Sequence, residues 1–217
     1  MVEPTPPEGP LIPPIRRYLV YQMQSLETKP FLLDVHSITL RVTHEDFEKL
    51  CQDNPDLRLE LTKDGQLITM APAGWESSKR NSKLNSRVDA WNERTDLGEL
   101  FDSSGGFTLP NGAVKSPDVT WISKSKLEGI TDDVAFPEVV PDFVIELRSK
   151  TDSLKTLREK MEEYRSNGVR LGLLINPKDR QVEIYRPGQE TEIVESPTSI
   201  DCGEIMPDFV LDLTNIL

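Results

Sequence analysis

The sequence predicts an α/β (α+β) domain with a mixed central sheet flanked by helices, and three observations carry that prediction. Apolar and polar residues alternate on both sides of Asp64-Gly65 in "LRLELTKDGQLITMAP", the pattern of a β-hairpin. Two stretches, 76–95 and about 152–167, place apolar residues at helical spacing. Around them run short apolar segments of strand length, "SPDVTWIS", "PDFVIEL", "LGLLINP" and "QVEIYRP". Strands and helices interleaved behind a hairpin lead-in give a layered domain.

Each element has a local cause. Six of the first fourteen residues are Pro, which excludes regular structure and predicts an extended arm over 1–30, ahead of a single domain over 31–217. "THEDFEKLCQD" opens with Thr43 as N-cap and acidic residues in its first turn, so it reads as a short helix. In the helix from Glu76 to about Thr95, Leu84, Val88 and Trp91 form a narrow buried stripe. "GELFDSSGGFTLPNG" gives two short strands around Gly-rich turns, and "SKSKLEGI" a helical turn. The later helix carries Leu154, Leu157, Met161 and Tyr164 on one side and stops at Gly168. An acidic tail closes with "PDFVLDLTNIL", which repeats the Pro-Asp-Phe-Val of 141–144.

Composition narrows the function classes. The net charge is −12 with a pI near 4.7, which argues against a general nucleic-acid coating protein. Two stretches depart from that average: 147–170 has an excess of three positive charges and 76–94 an excess of two. Cys51 and Cys202 form no CxxC or Cys/His group, so neither a disulfide framework nor a zinc site is indicated. No apolar run reaches membrane-span length and the start lacks signal-peptide order, so a cytoplasmic protein without a membrane partner is expected.

Alternation along Asp142–Arg148 puts Phe143, Ile145 and Leu147 on one face and Val144, Glu146 and Arg148 on the other. The same rule pairs Asp118 with Thr120, opposite Val119 and Trp121. Neighbouring strands then bring Asp118 and Glu146 to one spot, where two carboxylates need a proton or a hard cation between them. A second reading also fits the spacing: Asp118 caps a loop, and Glu146 pairs with Arg148 across a sheet edge. On the later helix Lys160 falls only about 40° beyond Tyr164, at the border of the apolar stripe. A border lysine can snorkel to a carboxylate site, whereas Lys155 and Glu163 are expected to face solvent. Such a lysine contributes little packing, so its removal is expected to leave the fold nearly as stable.

An acidic residue after Pro, a strand with Glu-x-basic and a following amphipathic helix resemble the PD-(D/E)XK nuclease superfamily. More closely, "LELTKDGQLITMAP", "GWESSKRNSKL", "FDSSGGFTLPNGAVKSPDVTWIS", "PDFVIELRSKTDSL", "KMEEYRSNGVRLGLLINP" and "VEIYRP" resemble, in this order, the Uma-two-type bacterial restriction endonuclease family. The resemblance spans Thr43 to Pro187, about two thirds of the chain.

It implies a restriction-endonuclease-like fold, a DNA substrate, and Mg²⁺ or Mn²⁺ held by Asp118 and Glu146, with Lys160 assisting the nucleophilic water. The lysine of Glu-x-Lys is replaced by Arg148, which can clamp a phosphate but accepts no proton; Lys150 is the other lysine to weigh. Glu76 and Glu60 are further metal-shell candidates, with ordinary readings as a helix-dipole charge and an exposed strand residue. Trp91, Trp121 and Tyr164 are expected in the core, and His36 and His44 on the surface without partners. A homodimer is compatible with the chain. The competing reading is a catalytically degenerate module that keeps the fold for DNA or protein binding; the acidic charge and the missing lysine favour it.

Overall fold

A computed structural model describes residues 39–131 and 133–217. The expectations for the Pro-rich arm over 1–30 and for His36 fall outside the described residues.

Helix α1 (His44–Asp53) begins where Thr43 Oγ1 accepts the Asp46 N–H at 3.1 Å, and it buries Phe47. Strands β1 (Arg58–Leu61) and β2 (Leu67–Met70) pair antiparallel, Leu61 opposite Leu67. Their connection is longer than a two-residue Asp-Gly turn. Only Gly65 takes a positive φ, +76°, and its carbonyl accepts the Val42 N–H at 2.8 Å. A Cβ on Gly65 would lie 2.8 Å from Val42 O, so glycine is required for this close approach as well as for its φ.

Helix α2 (Trp75–Thr95) buries Leu84, Val88, Trp91 and Asn92. Strands β3 (Gly98–Asp102), β4 (Phe107–Thr108), β5 (Val114–Lys115) and β6 (Val119–Ser123) follow, then the short helix α3 (Lys124–Leu127), β7 (Phe143–Leu147), helix α4 (Leu154–Ser166), β8 (Leu171–Asn176) and β9 (Gln181–Tyr185). Three short strands end the chain: β10 (Glu192–Glu195), β11 (Ser199–Asp201) and β12 (Val210–Asp212). The central sheet runs β10-β9-β8-β7-β6-β3, with β7 and β8 parallel across the α4 crossover and every other pair antiparallel. The hairpin is more than a lead-in. It belongs to a second sheet, β2-β1-β5-β4, which the sequence reading did not anticipate.

The predicted alternation sorts the core into two layers. Phe143, Ile145 and Leu147 join Val119 and Trp121 against Leu84, Val88 and Trp91 of α2, with the two indoles edge-on at 5.3 Å. On the other face Val144 and Leu174 pack with Met161 and Tyr164 of α4. The C-terminal stretch is no solvated tail. Met206, Phe209, Leu211 and Ile216 are buried in the first layer, and Trp91 Nε1 donates to Pro207 O at 2.9 Å. The repeated tetrapeptide therefore has two conformations: Asp142 leads into a strand, whereas Asp208 sits in a left-handed turn at φ +58°.

Candidate active site

The strand register carries the site. Val119, Thr120 and Trp121 of β6 stand opposite Ile145, Val144 and Phe143 of β7, so one residue further out Asp118 stands opposite Glu146, on the face that α4 covers. Residues opposed in this way have Cβ atoms about 5 Å apart. Asp118 is half-buried, and its Oδ2 accepts the Leu147 N–H at 2.8 Å. Glu146 is buried, and one of its oxygens, Oε1, meets both Lys160 Nζ and the Tyr164 hydroxyl, each at 2.8 Å. Lys160 snorkels from the border of the α4 stripe as expected and lies equally close, 2.8 Å, to Glu60 Oε1.

Glu60 is no exposed strand residue. It is 3% exposed: β1 pairs with β5 at Leu61 and Val114, which sets Lys115 beside Glu60, and Lys160 reaches the same carboxylate from α4. Its Oε1 also accepts the Ser116 N–H at 3.1 Å, and Lys115 Nζ stands 3.8 Å from its Oε2. Glu163, expected to face solvent, lies 3.1 Å from Lys115 through Oε2 and accepts Asn111 Nδ2 at 2.8 Å through Oε1. Lys155 does face solvent.

The electrostatics follow from three carboxylates sharing too few cations. Burial, reinforced by Asp118 and Glu60, pushes the Glu146 carboxyl up to about 7 in spite of Lys160. Burial also raises Asp118, against the opposing pull of the Leu147 N–H and Lys160. At Glu60 the cost of burial is outweighed by Lys160 and Lys115, which hold it below the ordinary range. Burial works against the Lys160 ammonium, yet Glu146 and Glu60 win and raise it well above a free lysine. Flanked by two carboxylate oxygens at 2.8 Å, the Lys160 ammonium is held in its charged form, suited to orienting and stabilising an anion.

Other candidates are placed elsewhere. Arg148 is not paired with Glu146; its Nη1 donates to Asp179 Oδ2 at 2.9 Å and Asn176 Oδ1 at 3.2 Å, because the ladder runs on to Arg148 N and Ile175 O and carries the side chain to the β8–β9 turn. Its Nη1 is thus engaged by residues of the β8–β9 turn, while its buried Nε has no hydrogen-bond partner among the described residues. Glu76 forms ion pairs with Lys79 and Arg80 at the start of α2, and the Lys79 hydrogen bond chiefly lowers its pKa. Lys150 is exposed and adds to the positive field on Glu76. His44 has a partner after all: its Nε2 lies 2.7 Å from Gly112 O.

Residues missed at the sequence level include Lys115, the Tyr164 hydroxyl and Glu183. Glu183 is 1% exposed, and Arg158 grips it through Nε and Nη2 while Tyr185 donates to it at 2.7 Å. It lies in the same cross-sheet row as Asp118 and Glu146, one strand beyond Leu174. The signal for it was the glutamate in the middle of "QVEIY".

Among the described residues no three His, Cys, Asp or Glu side chains form a ready-made metal cage. The donor set nonetheless suits a hard cation. Among the described residues no donor contacts Asp118 Oδ1 or Glu146 Oε2, and Mg²⁺ commonly binds through one or two carboxylates, keeping water and substrate oxygens for the rest.

Known proteins resemble the chain in sequence and in fold. The model of the Uma2 family, described as "Putative restriction endonuclease", matches residues 44–214. No curated protein matches the chain. Among solved structures, a "putative nuclease belonging to DUF820" from Anabaena variabilis superposes with a TM-score of 0.64, covering 73% of this chain and 88% of that one at 20% identity, a likeness of fold.

Proposed function

Because the chain belongs to the Uma2 family of putative restriction endonucleases, we propose that it hydrolyses DNA phosphodiester bonds with Mg²⁺ or Mn²⁺ held by Asp118 and Glu146. The observation that carries the proposal is the opposed pair itself. Each acid has one oxygen fixed by a protein donor and the other left open, so both are oriented before any ligand arrives. The bound cation would supply activation of a water and neutralise charge on the scissile phosphate. Lys160, held charged beside Glu146 Oε1, stabilises the anion that develops there. Tyr164 fixes the same oxygen and so keeps Glu146 from rotating.

The degenerate-module reading keeps one observation in its favour: Arg148 occupies the Glu-x-Lys position and its guanidinium is engaged by Asp179. One pair of measurements decides. Wild type should bind Mn²⁺ by calorimetry and nick supercoiled plasmid in Mg²⁺ or Mn²⁺, and Asp118→Asn should lose both. Plasmid left intact in either cation would favour the non-catalytic module, and Mn²⁺ affinity unchanged in Asp118→Asn would remove the assigned site.

A further inference from the structure

Charges of alternating sign run from the site into the second sheet: Glu146 on β7, Lys160 on α4, Glu60 on β1, Lys115 on β5, then Glu163 back on α4. We propose that Glu60 and Lys115 are positioning residues, with Glu60 acting on Lys160 rather than on a cation and Lys115 holding Glu60 in place. This rests on the endonuclease reading but assigns the second sheet a part in it.

The contrast between the carboxylates supports the assignment. Among the described residues, Asp118 and Glu146 each leave an oxygen without a cation or donor beside it, whereas Glu60 Oε1 accepts from Lys160 and the Ser116 N–H and Glu60 Oε2 has the Lys115 ammonium 3.8 Å away, an ion-pair distance. A carboxylate flanked by two ammonium groups is already charge-compensated and is a poor ligand for a metal ion. It is well suited to hold an ammonium.

Lysine has a flexible four-carbon stem, and fixing it costs rotamer entropy. Contact with Glu146 alone would leave the ammonium free to swing about that oxygen. Glu60, 2.8 Å away on a different sheet, supplies the second anchor. Lys115 is itself 5% exposed and has no role at the surface; it lies between Glu60 and Glu163 and so keeps the Glu60 carboxylate from turning.

An ion-pair network that only joined sheet to helix would affect stability alone, so the test needs readouts of Lys160 itself. Glu60→Gln and Lys115→Met would be labelled with an amine-acetylating reagent and read by mass spectrometry, with the solvent-facing Lys155 as internal reference. Lys160 should be protected in wild type and gain reactivity in both variants, while Mn²⁺ affinity stays within about threefold of wild type. Cleavage should lose kcat by up to about 10²-fold at nearly constant KM, the effect of a displaced catalytic group, and Lys115→Arg should restore it.

Unchanged Lys160 labelling in both variants would overturn the proposal. So would a loss of Mn²⁺ affinity in Glu60→Gln as large as in Asp118→Asn, which would make Glu60 a ligand. Should Glu60→Gln fail to fold, Glu163→Gln perturbs the same chain of charges from its more exposed end, and protected Lys160 there counts against the proposal. Labelling and Mn²⁺ titration require no turnover, so a wild type that cuts no DNA refutes the endonuclease reading without touching these two results.

Discussion

Glu146 should make the metal-free protein less stable as pH rises. Its carboxyl is buried beside Asp118 and Glu60, and it titrates near 7 in the folded chain against an ordinary 4.5. Below pH 4.5 the folded and unfolded chains both hold the proton, and there is no cost. Between 4.5 and 7 the unfolded glutamate ionises while the folded one does not, so stability falls with pH; above 7 both are ionised and the deficit is complete. The gap between those two values corresponds to about 3 kcal/mol. Urea unfolding in the presence of a chelator, at pH steps from 4 to 8.5, measures it against Glu146→Gln, which carries no titrating group at this position. With a urea dependence of about 2 kcal/mol per molar, the wild-type midpoint should move by roughly 1.5 M relative to the variant across the window. The absolute stability of the variant does not matter, because only the change of the difference with pH is read. Two parallel curves would refute the reasoning, since Glu146 would then ionise at the same pH folded and unfolded.

Lys160→Ala should cost about 3–5 kcal/mol at pH 8 in a thermal or urea melt, because it leaves Glu60 and Glu146 buried without their shared ammonium; the loss should shrink at pH 5, where Glu146 takes up a proton. This reverses the expectation that a border lysine is dispensable to the fold. Gly98→Ala should destabilise by about 3 kcal/mol or more, since its Cβ would meet Ile122 O at 2.2 Å and the Trp121 ring at 2.6 Å, whereas the Gly172→Ala Cβ would clash only with the far end of the flexible Met161 side chain, at 2.6 Å, and should cost about 1 kcal/mol in the same melts. Asp142→Ala should cost about 3 kcal/mol at neutral pH by stripping Lys126, Arg170 and Ser123 of their buried partner. Burial opposes its charge, but Ser123 and Lys126 hold its pKa below the ordinary 3.8; the wild-type advantage is therefore complete above that pH and fades in acid as Asp142 is protonated.

What the sequence disclosed was governed by local periodicity. Strand alternation separated Glu146 from Ile145 and paired Asp118 with Thr120, and helical spacing put Lys160 at the border of its stripe; all three hold because each depends only on the backbone of its own element. What stands opposite a given face is a different matter. Glu60 also read as an exposed strand residue because nothing in "LRLEL" reveals that β5, more than fifty residues later, pairs with β1, or that Lys115 and Lys160 meet the carboxylate there. Glu163 was assigned to solvent for the same reason, since Lys115 reaches it only after the second sheet has formed. Arg148 shares its face with Glu146, yet a side chain at the end of a strand takes its partner from the next turn, here Asp179. The C-terminal residues looked like a charged tail because their apolar members are spaced by turns and follow no single period.

The ion pair between Lys160 and Glu60 joins residues 100 positions apart in the chain. Closing so long a loop carries an entropic cost, and such contacts are made late relative to those within α4 or between adjacent strands. During synthesis, a nascent chain that ends between residues 146 and 159 contains Asp118 and Glu146 without the ammonium between Glu146 and Glu60. The charged centre thus exists only once the two sheets and the crossover helix have assembled, and a truncated product or proteolytic fragment lacking one of them cannot reproduce it.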